Sequence, residues 1–149
     1  MDSIHLILQN KCTPYTFLDK ETLMHYVDGF VLPVPRDKLE AYRALAQTAG
    51  KVWMEYGAMQ YFECVGDDVP MGKLTSFPQA VQLKDDEVAV FSWIVYASRA
   101  ERDRINALVM KDPRIASTKP EDMPFDGMRM FWGGFTGLVE LGWGGAPGA

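Results

Sequence analysis

The run "HYVDGFVLPVP" (His25 to Pro35) carries a single carboxylate, Asp28, flanked on its own parity by Tyr26 and Phe30. If the run is a central strand, alternate side chains share a face and Asp28 sits among apolar neighbours. A carboxylate in that position is costly unless it is paired or hydrogen-bonded. Desolvation also raises its pKa toward values useful in a general base. The competing use is structural, as a partner for backbone groups or for an arginine across an interface, because ion-pair networks perturb carboxylates too.

A second stretch, "MPFDGMRMFWGGF" (Met123 to Phe135), holds several polar and conformationally special residues between bulky apolar ones. Asp126-Gly127 after Pro124 reads as turn chemistry, with Asp bonding its own backbone and Gly free to take positive φ. Arg129 has the planar fork for a bidentate carboxylate, although an arginine at a strand mouth is commonly a surface or interface ion-pair partner. Gly133-Gly134 marks a bulge or a close backbone approach. Trp53 and Trp93 suit either a ligand-facing aromatic wall or the core. Glu63 is expected near a sheet edge, in solvent or at an interface, and Asp67-Asp68 reads as a solvated turn. Cys64 has no nearby histidine in sequence to activate it.

Other chemistries lack their residues. The cysteines are Cys12 and Cys64 and the histidines His5 and His25, with no zinc-site spacing among them. No Ser-His-Asp order, phosphate-cradling glycine loop or Rossmann fingerprint is present. The reading is therefore of chemistry without metal or bound cofactor. Twenty acidic against 15 basic residues give a net charge of −5, and no basic run is dense enough to track nucleic acid. Two scattered thiols fit a reduced, cytoplasmic protein. The apolar stretch "IHLIL" near the start, with Asp2 before it, is too short for a signal peptide or a membrane span.

The elements that would hold Asp28 follow from periodicity. His25 to Pro35 predicts the first strand. "RDKLEAYRALAQTAGKVWMEYG" predicts a helix, with Leu39, Tyr42, Ala46, Ala49 and Trp53 on one stripe, an Asp37/Glu40 capping box and Gly57 as the stop. Gly50 inside it costs about 1 kcal/mol against Ala. "MQYFECV" (Met59 to Val65) predicts a second strand, and a Gly/Pro-marked connection follows from 66 to 87. "VAVFSWIVYA" (Val88 to Ala97) predicts a third strand. "SRAERDRINALVMKD" opens on a Ser98/Glu101 capping box, shows Ile105, Leu108 and Val109 on one face, and stops at Asp112-Pro113. Met128 to about Val139 predicts a fourth strand.

The order β-α-β, β-α-β predicts an α+β ferredoxin-like domain with a four-stranded antiparallel sheet. Residues 24–141 form the domain, 1–23 an N-terminal extension outside it, and 142–149 a flexible tail. The third strand is apolar on both parities, Val88, Val90 and Ile94 against Ala89, Phe91, Trp93 and Val95. Helices cover one face, and a half-solvated sheet should alternate apolar with polar. A second copy, sheet against sheet, is the simplest cover, so a homodimer is expected.

Four spaced stretches, "YVDGFVLPVPRDKLEAYR", "ECVGDDVPMGKLTSFPQAV", "VFSWIVYASRAERD" and "MPFDGMRMFWGGF", resemble the YbaA-like bacterial family of unknown function, from about Met24 to Leu141. The resemblance implies a dimeric α/β barrel, two ferredoxin-like sheets facing each other. That superfamily includes cofactor-free oxygenases, lactone isomerases, haem-degrading enzymes and proteins without known activity. The family itself brings no reaction to carry over. Met128 departs from it, since members commonly have a basic residue there.

Two functional readings stay open. One is an oxygenase- or isomerase-like small-molecule enzyme using Asp28 as base on an activated C–H or enolisable substrate. The other is a noncatalytic dimeric module that binds a small molecule or only assembles. Counting from the strand ends sets Asp28 opposite Phe135, with Gly134 and Gly133 one and two steps away. A pocket is expected there, between sheet and helices, with Asp28 as base, Gly133 and Gly134 as its hollow, and Trp53 and Trp93 as walls.

Overall fold

The computed structural model describes residues 24–142. The N-terminal extension and all of the tail beyond Gly142 lie outside the described residues. The chain runs β1 (Tyr26–Pro35), α1 (Leu39–Tyr56), β2 (Gln60–Val65), a short α2 (Phe77–Ala80), β3 (Glu87–Tyr96), α3 (Arg99–Val109), a short α4 (Pro113–Ala116) and β4 (Phe131–Thr136). The four strands form one sheet in the order β2-β3-β1-β4, every neighbouring pair antiparallel. With α1 and α3 as the two crossovers, this is the ferredoxin-like α+β fold.

Local chemistry sets most boundaries. Gly57 closes α1 at φ 116°, in the left-handed region, with its N–H bonded back to Met54 and Trp53. Ser98 caps α3 by accepting from the Glu101 N–H at 3.1 Å, while the Glu101 carboxylate turns to Arg104 and leaves the box half-formed. The other expected box is absent. Arg36–Lys38 is a 3-10 turn, and α1 starts after Lys38 with no side-chain cap. β4 starts three residues later than its composition suggests, because Asp126 caps a 3-10 turn over Gly127–Arg129.

Both helices pack on one face of the sheet. The core there divides into two groups, Leu32, Val34, Tyr42, Ala46, Val88 and Val90 at one end and Val52, Ala58, Ile94, Tyr96, Ile105 and Val109 at the other. Each fully buried aliphatic contributes about 1.5–3 kcal/mol. Phe30 touches both groups. The other face stays apolar: Phe62, Phe91, Phe131 and Phe135 are 43–63% exposed. No helix among the described residues is long and apolar enough to cross a membrane.

Candidate functional site

Where the two core groups would meet under the helices, the structure leaves a cavity of about 450 Å³. Its floor is Asp28, Phe30 and Leu32 of β1, Ser92 and Ile94 of β3, and Tyr61 and Glu63 of β2; α1 contributes Tyr42, Ala49 and Trp53, and α3 contributes Asn106. Trp132, Phe125 and Met130 close the β4 side. The volume is within the range of small-molecule sites, and so is the ratio of many apolar walls to few polar groups.

Asp28 is 1% exposed. Asn106 Nδ2 donates to its Oδ2 at 3.3 Å, and Arg102 Nε stands 3.5 Å from its Oδ1 without closing a hydrogen bond. Burial pushes the Asp28 pKa above its ordinary value, against the pull of Arg102 and of hydrogen bonds from Asn106 and Tyr96. Behind it lies a polar chain. Trp53 Nε1 donates to the Tyr96 hydroxyl oxygen at 3.1 Å and to Asn106 Oδ1 at 3.0 Å, and the Tyr96 hydroxyl is within 3.0 Å of the same Asn106 oxygen. Asn106 is thereby fixed with its amide N–H toward Asp28.

The glycine pair divides between the two faces. Gly134 pairs with Asp28, and Gly133 with Gly29. The expected register is one residue out, since Phe135 pairs with Val27. The ladder is continuous, with no bulge. A Cβ at Gly134 would fall onto the Tyr26 hydroxyl and lie 2.7 Å from Arg102 Nη2. The missing side chain is space for these two groups, which are bonded to each other at 2.9 Å with the guanidinium over the Tyr26 ring. Gly134 thus admits Arg102 beside Asp28 and leaves no open hollow. Gly133 faces the other side, where a Cβ would meet Phe135. Trp93 is also on that side, stacked on Phe62 at 4.7 Å. Of the expected residues, Asp28 and Trp53 therefore meet at the cavity; Trp93 and Gly133 do not.

Glu63 lies on the edge strand β2, as expected, but is half-buried and hydrogen-bonded, not simply solvated. It shares a parity with Tyr61 and points under the helices, accepting from the hydroxyls of Tyr42 at 2.6 Å and Tyr61 at 2.8 Å. Burial, then the charge of Glu63, pushes both phenols above their usual pKa range, so they stay donors. With Tyr42, Ala46 and Phe62, this pair also borders an outer groove of about 700 Å³ between α1 and the edge strand β2. That groove also runs past Arg43, Gln47, Lys51 and Met54. Arg129 is spoken for within the chain: it holds Glu87 through its two terminal guanidinium nitrogens, Asp126 through Nε at 2.8 Å, and the carbonyl oxygens of Val81 and Gln82. Glu87 is 4% exposed, and this grip keeps its pKa below the ordinary carboxylate value.

Sequence reasoning overlooked Arg102, Asn106 and Tyr96. The signal was present: Arg102, Ile105, Asn106 and Val109 recur at three- and four-residue steps, so the two polar residues share the buried stripe of α3.

A ferredoxin-like α+β domain with a carboxylate-bearing cavity between sheet and helices is the class that fold and site define. The chain belongs to the family described as a protein of unknown function (DUF1428), which matches residues 25–127. It is 48% identical over 117 residues to the uncharacterized protein YbaA of Escherichia coli (strain K12), covering 78% of this chain and 99% of that one. The YbaA of Shigella flexneri matches to the same extent. Among solved structures, an uncharacterized NIPSNAP domain protein from Burkholderia xenovorans aligns with a TM-score of 0.47 at 15% identity, over 79% of this chain and 96% of that one.

Proposed function

We propose that the cavity binds a small, largely apolar molecule and that Asp28 accepts a proton from an activated C–H of it, without metal or bound cofactor. The observation that carries the reading is a buried carboxylate with a raised pKa, held by Asn106 at the floor of a cavity large enough for a ligand. Asp28 takes the proton and returns it to the same or a neighbouring carbon, so no outside oxidant is needed. The test is deuterium uptake by enolisable aromatic ketones in heavy water, followed by NMR. Uptake should be catalysed by the natural chain and abolished in Asp28→Asn. Equal rates in both would remove Asp28 from the chemistry.

A specific feature favours the noncatalytic alternative. Arg102, 3.5 Å from Asp28, already supplies an opposite charge, as a purely structural carboxylate would require. In that case ligands bind and no exchange follows.

We also propose that the chain works as a cytoplasmic homodimer, the exposed phenylalanines of the outer sheet face packing against those of a second copy. A contiguous apolar patch on the order of several hundred Å² is more than monomers usually expose.

A further inference from the structure

We infer that the ligand of this cavity is a hydrophobic amine or other organic cation, and that Glu63 is the group that selects it. This rests on the cavity being a binding site and adds the chemical class of what it takes. The ionisable side chains lining it include two carboxylates, Asp28 and Glu63, and no lysine, arginine or histidine. The carboxylates differ in what already balances them. Asp28 has Arg102 beside it. Glu63 has two phenol donors, one to each oxygen, and no ion pair among the described residues. Arg43 and Lys51 line the outer groove, which shares Tyr61 and Glu63 with the cavity, but neither pairs with Glu63 and both are absent from the cavity lining. Asp28, Glu63 and Arg102 together carry a net charge of −1, which a monocation would neutralise and an anion would double.

The walls point the same way. Phe30, Tyr42, Trp53, Tyr61, Phe125 and Trp132 surround the space, and aromatic faces attract a desolvated cation through their quadrupoles. Neutral aromatic ligands would gain from the same rings by apolar burial alone. The carboxylates separate the two cases. Each keeps acceptor capacity that an ammonium N–H can use, since a carboxylate offers about four lone-pair sites.

The experiment compares phenethylamine, phenethyl alcohol and phenylacetate, which share one ring and linker and differ in charge. Ligand-observed NMR titration of the natural chain should show the amine bound about tenfold or more tighter than the alcohol, and the acid weakest. In Glu63→Gln the amine should fall to near the alcohol's affinity while the alcohol is unchanged, with circular dichroism confirming the fold. If the alcohol binds as well as the amine, or the acid binds best, the cavity is a binding site but not one for cations. If all three fail to bind, the cavity reading falls with the inference. If Glu63→Gln does not fold, the ranking in the natural chain decides alone, and Glu63→Asp, which keeps the charge, must retain the amine preference.

Discussion

At the scale of single residues, Asp28 is controlled by two opposed effects, and their balance has a measurable sign. Burial raises its pKa above 3.8, and this outweighs the attraction of Arg102. Below that value the carboxyl is protonated both folded and unfolded. As pH rises from there toward the raised folded pKa, the unfolded chain releases the proton first, and the Asp28 contribution to stability is lost over that window. Glu87, Asp112 and Asp126 run the other way: their pKa values are lowered, chiefly by arginine hydrogen bonds, so their contribution is lost as pH falls. These are common to the natural chain and Asp28→Asn, and cancel in the difference. Urea denaturation of both across pH should therefore show the natural chain losing ground to Asp28→Asn as pH climbs above 3.8. A difference that grows instead would mean the Arg102 pairing dominates, and the carboxylate is structural.

The elements explain which parts of the site could be read in advance. Strand and helix order was legible because period-two and three/four-residue patterns are local, and so was the burial of Asp28, which follows from its parity and the central place of β1. What was lost is set by distance along the chain. Arg102 and Asn106 reach Asp28 from 74 and 78 residues away, a juxtaposition created by how α3 lies on the sheet. The start and register of β4 are set by turn and pairing: the strand begins at Phe131 after the turn capped by Asp126, and Asp28 faces Gly134, one residue from Phe135. Gly50 illustrates the same limit. By helix propensity, Ala should gain about 1 kcal/mol there. Yet a Cβ would lie 2.7 Å from the Tyr61 ring, far inside contact distance, so α1 and β2 approach through that gap. Overpacking of this kind costs about 1–3 kcal/mol, which offsets or exceeds the gain. Gly50→Ala should be destabilised by up to about 2 kcal/mol in urea melts. It should also weaken ligand binding, because the displaced ring is one of the two that donate to Glu63. A stabilised variant would show the helix free to move off the strand.

For the whole molecule, the two faces of one sheet have different tasks, and the division follows from side-chain alternation. Tyr26, Asp28 and Phe30 point under the helices, while Val27, Gly29 and Val31 point away. On β4, Trp132 lines the cavity and Gly134 faces Tyr26 and Arg102 on the helix side, while Phe131, Gly133 and Phe135 go with the outer face. A charge placed on the outer parity therefore tests assembly without entering the cavity. Phe135 is the best position, 63% exposed and away from the cavity lining. If two sheets face each other, Phe135→Lys puts a like-charged pair into an apolar interface, where desolvating each ammonium opposes association. Light scattering should then give twice the chain's 16.8 kDa for the natural protein and 16.8 kDa for Phe135→Lys, with phenethylamine affinity unchanged if each cavity is built within one chain. A natural chain that already scatters as 16.8 kDa at micromolar concentration would leave the outer face without a second copy. Loss of binding along with the dimer would mean that pairing holds the cavity in shape, and would tie the two faces together through the single sheet they share.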